Sequence, residues 1–326
     1  MTESFKEWSE KWHCRDFRLE EQVGTGGMGA VHRAIHLPTG GTYAVKVVSP
    51  RTRADWDHLK REIELSLKIR SPHVIRTYGS ETKGKEVWIV MQYVVGDSLK
   101  SVLRNHLFHH RQFPFFDAGD YLALFRSIAS GLHAIHRSGV VHCDVKPENV
   151  MLGESGYWVH DLGIAREVHA KPSEVSGTPT YMAPEQIRKE PLDARTDLYS
   201  LGVTMYEVAT GVPPFLPPSL QKIADGLCQP GLLPEQRWEL LGKYLQARIA
   251  DLQTSRMGID LQQAHAECLF DQHLKVSPRL PAVFPYAPEV GKVLLKCLAK
   301  DRRFRWSNAL ELCEQLDRLG AAPADA

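Results

Sequence analysis

Long apolar runs are missing from this sequence. No stretch of about 18 or more consecutive apolar residues occurs, which argues against a transmembrane helix. An excess of one charge is also missing: 40 Lys and Arg face 39 Asp and Glu, for a formal net charge of +1. A strongly basic balance would have pointed to nucleic acid or an anionic membrane surface, so neither partner is expected. Paired cysteines are absent too. The six cysteines (Cys14, Cys143, Cys228, Cys268, Cys297 and Cys313) are scattered without regular spacing, as in a reduced protein rather than a disulfide framework. The opening residues Met1-Thr2-Glu3-Ser4-Phe5-Lys6-Glu7-Trp8 are charged and lack the apolar run of a signal peptide. No internal repeat is visible. The expectation is a soluble, cytoplasmic protein. What is present, 326 residues of which 43% are hydrophobic, suffices for a sizeable core or two cooperating lobes.

Phe5, Trp8 and Trp12 share one face of a helix expected over residues 1–16, an extension that packs on the main domain. A β pattern follows over residues 17–50, with a glycine cluster after Val23, the stretch Ala30–Ile35, a turn at Pro38–Gly41 and the strand Tyr43–Val48. Residues 54–69 read as a helix with Trp56, Leu59, Ile63 and Leu67 on one face, and strands are expected around 75–79 and 86–93. Beyond Gly96 the chain turns mainly helical. Residues 119–138 form the strongest amphipathic pattern, through Leu122, Leu124, Phe125, Ile128, Leu132 and Ile135. Strands first and helices afterwards indicate an α+β protein with two lobes, residues 17–94 and 95–318, hinged at Val94-Val95-Gly96. The tail, residues 319–326, reads as disordered.

Gly24-Thr25-Gly26-Gly27-Met28-Gly29 is a G-x-G-x-x-G cluster, and glycines let backbone amides approach phosphates. A dinucleotide fingerprint would require a helix straight after the third glycine. Here Ala30-Val31-His32-Arg33-Ala34 continues as strand, so the loop spans a hairpin. Lys46 follows in the next strand between Val45 and Val47. An isolated lysine there would simply face solvent. With Glu62 or Glu64 on the following helix it can bridge strand to helix while holding the α- and β-phosphates.

The strongest signal is His142-Cys143-Asp144-Val145-Lys146-Pro147-Glu148-Asn149, followed by Asp161-Leu162-Gly163. Phosphoryl transfer needs an in-line hydroxyl, a carboxylate to orient it and take its proton, and cations over the phosphates. Asp144 suits the carboxylate. Asn149 and Asp161 are oxygen ligands suited to Mg²⁺, with Mn²⁺ as the alternative, and Lys146 can neutralise charge on the transferring group.

In this order, and with Gly177-Thr178-Pro179-Thr180-Tyr181-Met182-Ala183-Pro184-Glu185, Asp197-Leu198-Tyr199-Ser200-Leu201-Gly202 and Arg305 behind it, the chain resembles the protein kinases, and the bacterial eukaryotic-like (Hanks-type) Ser/Thr kinases most closely. The resemblance covers roughly residues 17–215 and 283–316. It implies a bilobal kinase fold, with a β-rich N-lobe carrying one main helix and a mostly helical C-lobe. It also implies ATP and Mg²⁺ as cofactors and transfer of the γ-phosphate to Ser or Thr of a protein substrate. By resemblance Glu62 is preferred over Glu64 as the partner of Lys46, because it stands ten residues before Pro72. Gly24, Gly26, Gly29, Val31, Ala44, Lys46, Met91, Gln92 and Val94 would line the nucleotide site, with Met91 behind the adenine and the backbone of Gln92–Val94 bonding the base. Glu185 would pair with Arg305, Asp197 would anchor the catalytic loop, and Thr178 would lie beside Asp144.

The sequence departs from the family pattern at two places. Cys143 replaces the Arg that, in most relatives, receives a phosphorylated activation loop. Before Gly177 the segment from Asp161 offers only Ser173 and Ser176 as acceptors, with Glu174 near the usual phosphosite. Activity independent of activation-loop phosphorylation is therefore expected. A redox role for Cys143 is disfavoured, since Asp144 would raise its thiol pKa. Second, a helical insert occupies about 218–283, with Trp238, Leu241, Leu245, Ile249 and Leu252 at helical spacing. It is either local packing or a platform for a substrate or partner. His265, Cys268 and His273 within it lack the tight pair of a zinc site. Two rival functions compete with this one. A pseudokinase scaffold acting through the insert conflicts with the retention of Lys46, Glu62, Asp144, Asn149 and Asp161. A small-molecule phosphotransferase would not need the Gly177–Glu185 run.

Overall fold

A computed structural model describes residues 12–26, 29–106, 114–172, 174–227, 229, 235–236, 239–240, 242–244, 246–247, 259–281 and 284–321. The first half of the chain builds a five-stranded antiparallel sheet from β1 (Phe17–Gly26), β2 (Gly29–His36), β3 (Thr42–Val48), β4 (Thr77–Lys83) and β5 (Glu86–Gln92), in spatial order β1-β2-β3-β5-β4. Helix α1 (Arg53–Lys68) starts at a capping box: the Thr52 hydroxyl accepts from Asp55 N at 3.1 Å, and the Asp55 carboxylate accepts from Thr52 N at 2.8 Å. Its apolar face puts Leu59 and Ile63, with Trp56 and Leu67 alongside, against Val48, Val87 and Ile89 of the sheet. Each of the two buried aliphatic side chains contributes about 1.5–3 kcal/mol. This docking sets where Glu62, one residue before Ile63, can point.

Beyond the sheet, β6 (Gly96–Ser98) opens the helical lobe and leads into α2 (Leu99–Asn105) and α3 (Ala118–Arg137). The lobe's centre is α3, whose face of Tyr121, Leu124, Phe125, Ile128, Leu132 and Ile135 is fully buried. Two small antiparallel sheets follow: β8 (Val150–Gly153) pairs with β6 and β9 (Gly156–Val159), and β7 (Val140–Val141) pairs with β10 (Arg166–Glu167). Helix α4 (Pro184–Ile187) precedes α5 (Ala194–Thr210), which is buried from Thr196 to Thr210 on every side. Its polar residues are bonded internally; Thr204 Oγ1, for example, donates to the Ser200 carbonyl at 3.0 Å. Gly211 ends α5 in the left-handed region (φ 85°), where glycine avoids a Cβ clash.

The chain continues through α6 (Pro218–Leu227), α7 (Ile259–Lys275), α8 (Pro288–Cys297) and α9 (Ala309–Ala321). Leu220 and Ala224 of α6 pack with Val212, Leu216 and Tyr244 as a separate small core. The stripe from Trp238 to Leu252 lies outside the described residues, as do Phe5 and Trp8. Trp12 and His13 are not helical, unlike the expectation for residues 1–16, and only Cys14–Asp16 forms a short 3₁₀ turn. The reason is tertiary: the Glu81 carboxylate captures the Cys14 amide, while Trp12 settles among Phe17, His36, Tyr43 and Tyr78. Helix α9 also runs through Ala321, past the boundary at 318, because Leu319 still packs on the core.

Candidate active site

The glycine cluster closes the β1–β2 hairpin, with Gly24 opposite Val31 and Gly26 opposite Gly29. Gly29 is required by packing: a Cβ there would meet the Val47 carbonyl oxygen at 2.0 Å. Lys46 stands opposite Val31 on one side and Ile89 on the other, and Ala44 stands opposite Met91. The Gln92 amide donates to the Arg76 carbonyl at 2.8 Å, so its N–H is committed to the protein and only its carbonyl can face a base.

Lys46 Nζ donates to Glu62 Oε1 at 2.7 Å. Glu62 is buried, whereas Glu64 is half-buried and lies 3.9 Å from Lys60. Burial disfavours the Lys46 charge, but Glu62 and Asp161 more than offset it and hold its pKa above the ordinary value. Burial likewise pushes the Asp161 carboxyl up, and Lys46, His160 and His142 outweigh that, keeping it below its usual value and ionised at neutral pH. Asp161 adopts a left-handed backbone (φ 67°) and accepts from Gly163 N at 3.2 Å.

Asp144 is the centre of a second cluster. Its Oδ1 accepts from the Thr178 amide at 3.0 Å and hydroxyl at 2.8 Å, and its Oδ2 lies 2.6 Å from Lys146 Nζ. Lys146 Nζ also donates to Thr178 Oγ1 at 2.7 Å. Asn149 Nδ2 donates to the Asp144 carbonyl at 2.8 Å and to Oδ2 at 3.2 Å, which turns the amide oxygen of Asn149 away from Asp144. That oxygen and the ionised Asp161 carboxylate are hard donors of the kind Mg²⁺ takes, so the residues present fit a divalent cation.

Asp197, fully buried at the start of α5, carries the loop: Oδ2 accepts from His142 N and Oδ1 from Cys143 N, each at 2.8 Å. His136 Nε2 adds a contact to Oδ2 at 2.7 Å. Arg305 forms a two-pronged pair with Glu185 at 2.7 and 2.9 Å, both side chains being buried.

Three residues the motif reading missed join these parts. His136 is one. Gln186 Nε2 donates to the Cys143 carbonyl at 2.8 Å and reaches the Ser176 carbonyl at 3.4 Å, and Arg166 Nη2 donates to Ser176 Oγ at 3.1 Å. A polar residue directly after Glu185 in a buried turn was the available signal for Gln186; Arg166 gave none. Cys143 Sγ faces the Val141 carbonyl at 3.4 Å. Burial first, and Asp197 second, push its thiol well above the ordinary value, with Asp144 a smaller contributor than the sequence suggested.

Among the described residues no cluster of three or more His, Cys, Asp or Glu could hold a metal by itself, and His273 is engaged with Tyr199. No described helix is long and apolar enough to cross a membrane.

A family model described as "Protein kinase domain" matches residues 17–316. Similar proteins include a "cAMP-dependent protein kinase, catalytic subunit-like" protein of Caenorhabditis elegans, 30% identical over 241 residues, or 72% of this chain and 59% of that protein. "Serine/threonine-protein kinase cst-1" of Caenorhabditis briggsae is 34% identical over 203 residues, 61% of this chain and 40% of that protein. A probable serine/threonine-protein kinase of Clostridium acetobutylicum is 32% identical over 207 residues, 61% of this chain and 30% of that protein. The matches thus span less than two thirds of each relative's length. With a β-sheet N-lobe, a helical C-lobe and a match over nearly its whole length, the chain belongs to the protein kinase domain family.

Proposed function

We propose that this chain transfers the γ-phosphate of ATP to serine or threonine hydroxyls of a protein substrate. The observation that carries the reading is the Lys46–Glu62 pair at 2.7 Å beside an ionised Asp161, the arrangement an active kinase must assemble and a pseudokinase typically loses. Lys46 would hold the α- and β-phosphates under the glycine hairpin. Asn149 and Asp161 would hold Mg²⁺, which supplies charge neutralisation on the phosphates when bound. Asp144 would orient the incoming hydroxyl and take its proton, with Lys146 beside it to balance charge on the phosphoryl group. The nucleotide would sit against Val31, Ala44, Met91 and the Gln92–Val94 backbone. The test is label transfer from ATP with Mg²⁺ in wild type, Lys46→Met and Asp161→Asn; transfer that survives both substitutions contradicts the assignment.

The order of motifs and the clostridial relative support placing the chain with the bacterial Hanks-type kinases, acting in the cytoplasm. Activity is independent of activation-loop phosphorylation in this reading. Cys143 cannot bind a phosphate, yet its backbone is tied to the activation segment through Gln186, and Arg166 is already bonded to the unmodified Ser176 hydroxyl. Phosphatase treatment or Ser173→Ala/Ser176→Ala should leave kcat within about twofold; a collapse in rate overturns this point. The insert at 218–283 remains a candidate platform for partners, and its deletion over 225–275 tests native substrate capture against peptide phosphorylation.

A further inference from the structure

His273, in the last turn of α7, is fully buried, although the phosphate chemistry makes no use of it. Its Nδ1 lies 3.0 Å from the Tyr199 hydroxyl, and the same oxygen accepts from Lys300 Nζ at 3.1 Å. When charged, Lys300 only donates to that oxygen, which leaves the Tyr199 proton available to His273 Nδ1 and favours the tautomer with its proton on Nε2. Burial, reinforced by the Lys300 charge, pushes the ring's pKa down to about 3, so it is neutral near pH 7. The Phe215 ring completes the cluster, 4.7 Å from the His273 ring and 3.6 Å below the Lys300 ammonium.

The other side of the imidazole meets the activation segment. Helix α7 packs against the Pro179–Tyr181 turn, and the backbones of Pro179 and Thr180 favour the protonated form of the ring, against the effect of burial. Nε2 is buried but falls short of an aligned hydrogen bond to either. Pro179–Tyr181 is the turn directly after Thr178, whose hydroxyl lies 2.8 Å from Asp144. From the opposite side, Ser200 Oγ of α5 donates to the Tyr181 carbonyl at 2.8 Å. The turn therefore lies between α5 and α7, and its first residue, Pro179, directly follows Thr178.

We propose that His273 is a positioning residue through which the insert helix α7 holds the Pro179–Tyr181 turn, and with it the site of the substrate hydroxyl, in register with Asp144. The inference rests on the reading that residues 177–185 receive a protein substrate. Its chemistry is a buried, neutral imidazole with Nδ1 on the Tyr199 hydroxyl and Nε2 left to the turn against which α7 packs. The insert then serves peptide positioning from inside the molecule, whatever its outer face binds.

The full chain carrying His273→Asn keeps an acceptor for Tyr199 but cannot reach the turn; His273→Gln keeps a donor near the Nε2 position. Hydrogen exchange over 177–182, and KM for a degenerate Ser/Thr peptide mixture, are compared with wild type. The expected result for His273→Asn is faster exchange in that segment alone and a peptide KM raised on the order of tenfold, with kcat and the KM for ATP within about twofold. His273→Gln should restore most of both. Unchanged exchange and KM in a folded His273→Asn protein, or equal losses in His273→Gln, overturn the proposal. Tyr199→Phe conserves the ring and removes the hydroxyl link; unchanged exchange there overturns it as well, should the Asn variant fail to fold. If wild type transfers no phosphate, the kinase reading falls while the exchange comparison alone decides the brace.

Discussion

Gln186 donates to the carbonyl of Cys143, whose own amide is bound by Asp197, so the residue is gripped at both of its flanking peptide groups. Cys143 has a left-handed backbone (φ 68°), a conformation that costs a non-glycine residue about 1–3 kcal/mol and persists only when its surroundings enforce it. Replacing Gln186 with Leu would leave the buried carbonyl unsatisfied. A stability loss of about 1–3 kcal/mol in denaturant titration is expected, with a lower kcat as the loop relaxes.

The two glutamates of α1 should separate cleanly in kinetics. Glu62→Gln removes the charge that pairs with Lys46 and should lower kcat/KM at least about tenfold, corresponding to ~1.4 kcal/mol or more of lost transition-state stabilisation. Glu64→Gln touches only an exposed contact to Lys60 and should leave the rate unchanged. Steady-state assays of both variants side by side check this.

Arg305→Met strands Glu185 as an unpaired buried carboxylate. Removing one member of such a pair typically costs about 3–5 kcal/mol. The double variant Glu185→Met/Arg305→Met should recover much of that loss, a comparison read from urea midpoints.

Lys300 gives a pH signature. Burial, then the nearby Arg305 charge, push its pKa down from 10.5 to about 7. Between these values the unfolded chain binds more protons than the folded one, so this group makes stability rise with pH across that window. Thermal melts of wild type from pH 7 to 9 should therefore gain on Lys300→Met as pH rises; a parallel pair of curves would refute the assignment.

The sheet, α1 and α3 were legible because their apolar periodicities are local and agree with the observed burial of Leu59, Ile63, Leu124 and Ile128. Lys46, Asp144, Asn149 and Asp161 were legible as candidates because phosphate chemistry calls for those atom types and the resemblance to the protein kinases supplies their order. Gln186, Arg166 and His136 were not, since each matters through a backbone atom or a residue remote in sequence, and spacing says nothing of such contacts. His273 was noticed only as a poor metal ligand. Its partner Tyr199 is 74 residues away, beyond the reach of any local pattern. Residues 12–16 failed as a helix because a tertiary bond from Glu81 outcompeted local amphipathicity.

The Glu185–Arg305 pair joins positions 120 residues apart. At about 5–20 residues per second, a ribosome delivers Arg305 on the order of ten seconds after Glu185. Every residue assigned to the nucleotide has by then been made. The nascent chain thus holds the residues proposed to handle phosphate well before the clamp on the Gly177–Glu185 segment exists, and a chain broken off in that interval would lack the clamp altogether.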